Sequence, residues 1–286
     1  MTAADSASDV TVVVPTRNSG ATLRACLESI RSQSFPCTLV VVDNGSTDAT
    51  PLIANQLADL FLLVGPERSA QRNAGAAATA SRIIGFVDSD MALSPTVIAE
   101  AVAAINAGAA SVVVPEETVG EGFWADVSAY ERSFYEGSET IEAPRFFPRN
   151  VFEDVGGFDE AMTGAEDWDL GLRTVGAGQR IRINAKIVHH EGHVRYFNIC
   201  WKKAYYAPGV ALFIKKHGFQ GIVAMSSRPW LRQPRALLRP LGMGLLVLKI
   251  GQAISMAAAM IWVPFGRAVG LPDRPNARTR GRGTAS

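Results

Sequence analysis

The stretch Gly85–Pro95, GFVDSDMALSP, ends an apolar run in two aspartates separated by a serine, Asp88-Ser89-Asp90. Carboxylates at i and i+2, where a buried strand comes to the surface, can converge on one hard cation and on a sugar hydroxyl. Asp-x-Asp is also a common turn, because aspartate hydrogen-bonds its own backbone. A second acidic group, Glu166-Asp167-Trp168-Asp169, stands where a helix is expected to begin, near Ala165. A carboxylate there can take a proton from a hydroxyl, or merely complement the helix dipole. Arg173 is spaced to pair with one of these acids. Asp43 closes VVVD and can accept hydrogen bonds from a base or a ribose, while Asn44–Asp48 suits a turn and a helix cap. Arg72, ahead of the small residues Ala74–Ala78, can pair with a diphosphate or stand as a solvated arginine. His189, His190 and His193 lie together in HHEGH, with no fourth ligand at the spacing of a structural zinc.

These groups need a scaffold, and the pattern from Val10 to Pro115 supplies one. Strands are expected at Val10–Pro15, Thr38–Asp43, Leu60–Val64, Arg82–Asp88 and Ser111–Pro115. Most lack polar alternation, as strands covered on both faces do. Helices are expected near Ala21–Ser32, Thr50–Ala58, Ser69–Ala80 and Pro95–Ala107. This alternation implies an α/β fold with a doubly wound, mainly parallel sheet. Ligands of such sheets bind at the carboxyl ends of the strands, where Thr16-Arg17-Asn18, Asp43 and Asp88-Ser89-Asp90 all fall. Beyond Gly122 the pattern predicts a helix at Phe123–Tyr135 and short strands at Arg180–Ile183 and Ala185–Val188. Glu116–Gly122 and Ala143–Phe152 read as loops.

Composition excludes several classes. The 286 residues are 48% hydrophobic and 19% charged, with a formal net charge of +1. No global field attracts nucleic acid, and any electrostatic preference is local. Three widely spaced cysteines, Cys26, Cys37 and Cys200, suit reduced thiols in a cytosolic compartment rather than a disulfide framework. Residues 1–9 show neither a basic nor an apolar signal region and read as a disordered lead-in.

The C-terminal part is helical, basic and aromatic, then strongly apolar over Pro240–Gly266, with Lys249 and Gln252 inside the apolar stretch. About 20 apolar residues span a bilayer, so the length suffices while the central lysine opposes a clean span. A helix or hairpin lying in or on a membrane is expected; a single span and a soluble packed helix are the alternatives. Tyrosines, tryptophan and lysines in CWKKAYYAPGVALFIKKHG suit headgroups better than nucleic acid. The tail, with Arg267, Arg274, Arg278, Arg280 and Arg282, reads as disordered and suits an anionic leaflet or solvent alone.

Taken in order, VVVPTRNSGATLRACLESIRSQS, VVVDNGSTDAT, RNAGAAATA, GFVDSDM, VFEDVGGFDE and GAEDWDLGLR resemble the successive motifs of family 2 glycosyltransferases with the GT-A fold, over roughly Val10–His193. The resemblance implies a metal-dependent, inverting transfer of a sugar from a UDP-, GDP- or dTDP-linked donor to a hydroxyl acceptor. Pro15, Thr16, Arg17 and Asp43 would then hold the nucleoside, and Arg72 would lie near the diphosphate or ribose. Asp88 and Ser89 would face the donor. Asp90, with His190 or His189, would bind Mn2+ or Mg2+. Asp167 would be the catalytic base, with Glu166 and Asp169 beside it on the acceptor side, and Gly157 would shape the acceptor-side turn. Similar tails in relatives that build polysaccharides or glycolipids imply a lipid-linked acceptor and a place on the cytoplasmic side of the cell membrane.

The expected organisation is therefore a nucleotide-sugar-binding half over 10–115 and an acceptor and base half over 116–193. A membrane-associating helical region over 194–266 and a tail over 267–286 follow. A sugar nucleotidyltransferase and a non-catalytic sugar-nucleotide- or membrane-binding scaffold are the alternatives; PTRNSG fits poorly with the phosphate loop of the first.

Overall fold

The computed structural model describes residues 8–137, 142–226 and 233–268. Most of the proposed lead-in and tail, including Arg274, Arg278, Arg280 and Arg282, lies outside the described residues.

Apolar β-branched runs form β1 (Val10–Thr16) and β2 (Thr38–Asp43), followed by β3 (Leu60–Leu63) and β4 (Ile83–Phe86). Between them run α1 (Leu23–Arg31), α2 (Thr50–Leu57) and α3 (Arg68–Ala77). The chain continues through β5 (Met91–Leu93), α4 (Val97–Asn106), β6 (Ala109–Val113), β7 (Glu116–Glu121) and α5 (Phe123–Ser133). Next come β8 (Phe146–Pro148), α6 (Arg149–Asp154), α7 (Glu166–Arg173), β9 (Gln179–Arg182) and β10 (Ile187–His193).

Seven strands make one sheet in the order β3-β2-β1-β4-β8-β6-β9. All neighbours run parallel except β8, which is antiparallel to both β4 and β6. A smaller sheet, β5-β10-β7, pairs Met91 with His189 and so brings β10 to the chain just past β4. The central strands are buried on both faces: Val10, Val12 and Val14 pack on α1 and α4 residues such as Leu27 and Ile98. Val13 and Val42 pack on Ala76 of α3 and on Phe147, Phe152 and Phe158. Each such side chain contributes about 1.5–3 kcal/mol of burial.

Two segments read as loops are ordered elements. Glu116–Gly122 contains β7, whose sequence EETVGE is poor in strand formers and lies mostly exposed beside β10. Ala143–Phe152 contains β8, whose three residues are too short to show a period, and the start of α6.

The C-terminal part forms α8 (Tyr196–Ser226), bent at Gly218, then α9 (Pro234–Leu237) and α10 (Pro240–Ala268). Leu245 and Leu248 of α10 pack with Cys200 of α8 and Val127 of α5. Lys249 also faces the domain, donating to Glu131 of α5 and to Gln252 Oε1 at 3.0 Å. Within α10, Pro240–Ile261 is long and apolar enough to cross a bilayer, with a mean hydropathy of 1.7.

Candidate active site

The ends of β1 and β2 build one wall of a cleft. Thr16 pairs with Asp43 across the two strands, and both are buried, as is Pro15. Asp43 Oδ2 accepts the Ser46 N–H at 2.8 Å, and its Oδ1 accepts the Ser46 hydroxyl. Ser46 Oγ also accepts the Asn18 N–H at 2.7 Å, while Asn18 Oδ1 accepts the Thr47 N–H at 2.9 Å. The turns after β1 and β2 are thus stitched together, with Arg17 half-buried between them. Gln71 on α3 fixes them from below, donating to Thr16 O at 3.0 Å and Val42 O at 2.6 Å. Thr16 Oγ1 is buried without a hydrogen-bond partner in this network.

The turn after β4 holds Asp88, Ser89 and Asp90. Ser89 donates to Ser19 Oγ at 2.8 Å, joining this turn to the one after β1. Asp88 Oδ1 accepts from Arg72 at 2.7 Å, and its Oδ2 faces Arg145 at 3.5 Å. Burial pushes the Asp88 carboxyl up, but Arg72 and Arg145 more than reverse this and hold it well below the usual carboxylate range. Arg145 is itself gripped by Glu116 on β7, whose other oxygen accepts from Arg132 at 2.9 Å.

Arg72 is 1% exposed and lies under the cleft rather than lining it. Its guanidinium donates to Asp88, to Asp167 Oδ1 at 2.9 Å and to Glu166 Oε1 at 3.5 Å, and stacks over Phe158 at 5.0 Å. Arg72, expected near the diphosphate or ribose, thus meets three carboxylates here, which arginine's forked donors can serve together. Arg68, one helical turn earlier, reaches Glu166 Oε1 at 2.9 Å.

Asp167 remains 35% exposed and faces the opening. Burial raises its carboxyl pKa; Arg72 lowers it and neighbouring Glu166 raises it again, with a net upward shift. A raised carboxyl suits a base working near neutral pH. Glu166 is buried, its second oxygen taken by the Gly164 N–H, so it braces the start of α7. Asp169 is 0% exposed, and Arg173, Lys216 and His217 surround it. That carboxylate is withdrawn from the cleft, against the expectation of acceptor contact, because the fourth residue of α7 turns into the body of the protein. Gly157 adopts φ +65°, and a Cβ there would stand 2.8 Å from Asn73 Oδ1. It therefore serves the seam in which Asn73 bonds Phe158 N and O at 2.9 Å each.

Strand alternation separates the histidines. His189 is buried, with Nε2 at 3.4 Å from Asp90 Oδ2, while His190 is exposed and reaches Asp90 only through its backbone N–H, 2.8 Å from the Asp90 carbonyl. His193 is exposed as well. Burial raises and His189 lowers the Asp90 carboxyl, which settles below its usual range. His189 Nδ1 is buried without a partner. A carboxylate and an imidazole so placed fit one divalent cation. No group of three or more His, Cys, Asp or Glu side chains gathers for a metal among the described residues. Other positions would fall to water and phosphate oxygens, as Mg2+ prefers.

Sequence reasoning missed Arg68, Arg145 and Glu116. Only Arg68 left a signal, its four-residue spacing from Arg72 on one helix face. Arg145 and Glu116 sit in the two segments read as loops. Cys26, beneath the Asp88 turn, is buried and its thiol pKa is pushed up, so it is inert packing.

A family-wide sequence model described as glycosyl transferase family 2 matches residues 11–159. The pre-mycofactocin glycosyltransferase of Mycobacterium tuberculosis is 29% identical over 234 residues, 73% of this chain and 48% of that protein. The chain thus spans about half the length of that relative. The succinoglycan biosynthesis protein ExoA of Rhizobium meliloti is 27% identical over 263 residues, 82% of this chain and 77% of its own. In structure, the mannosyltransferase PcManGT of Pyrobaculum calidifontis, in complex with GDP-Man and Mn2+, superposes with a TM-score of 0.56. It is 20% identical, with 92% of this chain and 80% of that one covered. Staphylococcus aureus TarS gives 0.54 at 18% identity, with 93% of both chains covered.

Proposed function

The chain belongs to glycosyl transferase family 2, and on that premise we propose that it is a metal-dependent, inverting enzyme using a nucleoside diphosphate sugar. Membership sets aside the nucleotidyltransferase and scaffold alternatives. One observation carries the reading: Arg72 holds Asp88 and Asp167 at once, at 2.7 and 2.9 Å. The cation-site turn and the base thus stand on facing walls of one cleft.

In this reading the buried ends of β1 and β2 receive the nucleoside, with the unpaired Thr16 hydroxyl and Asp43 facing it. Asp90 and His189 would hold Mn2+ or Mg2+, which when bound would neutralise the leaving diphosphate. Asp167 takes the proton of the acceptor hydroxyl as its oxygen bonds the anomeric carbon and the bond to the diphosphate breaks, inverting the centre. Asp88 keeps Arg72 and Arg145 charged and in place.

We place the enzyme on the cytoplasmic side of a membrane, acting on a lipid-linked or polysaccharide acceptor. Met243, Val247, Ile250, Ile254 and Ile261 form one exposed stripe along α10, while Leu245, Leu248 and Lys249 bind its other side to the domain. A helix so tied favours lying in the interface over spanning it.

The test is a panel of UDP-, GDP- and dTDP-sugars with Mn2+ or Mg2+, scored for nucleotide release and thermal stabilisation. Stabilisation by at least one donor only with metal, lost in Asp90→Asn, is the expected result. Donor binding indifferent to metal and to Asp90→Asn overturns the metal assignment.

A further inference from the structure

The helix that opens the C-terminal region also packs against the helix that carries the proposed base, beyond the residues the family model matches. One face of α8 lies along the segment from Asp159 to Asp169. A Cβ on Gly209 would stand 1.9 Å from the Thr163 carbonyl oxygen, so the two backbones touch. Three residues earlier, Tyr206 covers Gly164, which has φ +91° and no room for a side chain. Four residues later, Phe213 is fully buried with Met162 and Ala165 and meets the Trp168 ring at 6.3 Å.

The face ends in charge. Lys216 Nζ donates to Asp159 Oδ2 at 2.8 Å and lies 3.0 Å from Asp169 Oδ1. His217 Nε2 sits 2.8 Å from the same Asp169 oxygen, with its ring against Phe213 at 4.8 Å. Asp169 Oδ2 accepts two bonds from Arg173, at 2.9 and 2.6 Å. Arg173 in turn donates to the carbonyls of Val155 and Gly157. Directly after His217, Gly218 breaks the helix with φ 55° and ψ −132°. The hold on Asp169 thus comes from the last residues before that break.

We propose that Lys216 and His217 are positioning residues for the transfer reaction. Through Asp169 they fix the rotation and seat of α7, and so the direction in which Asp167, two residues earlier, presents its carboxylate. The proposal rests on Asp167 being the base. Neither side chain contacts the strand ends that would hold the donor. Their removal changes turnover and leaves donor binding alone, because a displaced base costs rate without costing affinity. The same helix packs on α10, so the base and the apolar outer stripe belong to one body.

The test uses the full chain as Lys216→Met/His217→Ala, His217→Ala, His217→Gln and Asp167→Asn, with UDP-glucose, UDP-N-acetylglucosamine and GDP-mannose as probes in Mn2+. The double variant should lose roughly 10–100-fold in kcat, with donor KM within about twofold of the parent. His217→Gln, whose amide can still donate to Asp169, should recover most of the His217→Ala loss. Hydrogen exchange gives an arm independent of turnover: the double variant should expose amides of residues 162–173 and leave β1, β2 and β4 protected. Unchanged kcat, unchanged protection of α7, or a parallel loss of stabilisation by UDP and GDP each overturns the proposal. Asp167→Asn retaining turnover instead sinks the base assignment, whatever the α8 variants show.

Discussion

Arg72 and Asp88 meet at 2.7 Å beneath the cleft, and the guanidinium that makes this pair also reaches Asp167 at 2.9 Å. One buried cation therefore ties the turn after β4 to the first turn of α7. Neither wall can move without uncovering a charge that water does not reach.

Asp88→Asn should be strongly destabilising. It leaves Arg72 and Arg145 facing each other without their shared carboxylate, and removing one partner of a buried pair costs about 3–5 kcal/mol. Asp88 is 22% exposed, which puts the expectation at about 3 kcal/mol, the low end of that range. Urea denaturation reads the loss; a change under about 1 kcal/mol contradicts the bridging role.

Asp167→Asn should abolish transfer without lowering stability at neutral pH. The native carboxyl titrates above its unfolded value, so the native state holds the extra proton between the two pKa values. Stability is therefore lost as pH rises through that window, and the neutral amide escapes the loss. Thermal melts from acid to neutral pH check the sign: the variant's advantage should grow as pH rises. In the parent, turnover should rise with pH through the same raised carboxyl, giving an acid limb above the usual carboxylate range.

His189→Ala and His190→Ala should separate cleanly. Only the first removes a side chain facing Asp90. Mn2+-dependent stabilisation by UDP or GDP should fall at least about tenfold in apparent affinity for His189→Ala, the scale of a lost metal contact. For His190→Ala it should stay near the parent. Equal losses would place the cation elsewhere.

Ile250→Glu/Ile254→Glu should abolish co-flotation with vesicles of phosphatidylcholine and phosphatidylglycerol while leaving the melting temperature unchanged, since both residues are exposed on α10. Lys249→Met should do the reverse. It removes the ion-pair partner of Glu131 on α5, so the helix loosens while its outer stripe stays apolar. Carbonate-resistant, protease-protected insertion of α10 would contradict an interfacial helix.

The architecture was legible wherever a segment's own residues decide its structure. Unbroken runs such as VVVP and LVVV belong in a parallel sheet covered on both sides, because nothing in them is fit to face water. Their ends carry Asp43 and Asp88 for the same reason: the chain turns polar where the sheet stops. The order of those polar ends was enough to name the family. Strands β7 and β8 were not legible, since EETVGE and FFP take their conformation from neighbours far along the chain.

The sequence alone thus determined the parallel strands of the sheet, the strand ends that make the cleft, and the acids and histidines that stand near it. Tertiary structure decided what each of them faces. It turned Arg72 under the cleft to serve three carboxylates, put His189 rather than His190 against Asp90, and sealed Asp169 beneath α8. The reason is physical. A residue's chemistry is local, but its burial, its partners and hence its charge are fixed by groups far along the chain, 95 positions away for Arg72 and Asp167.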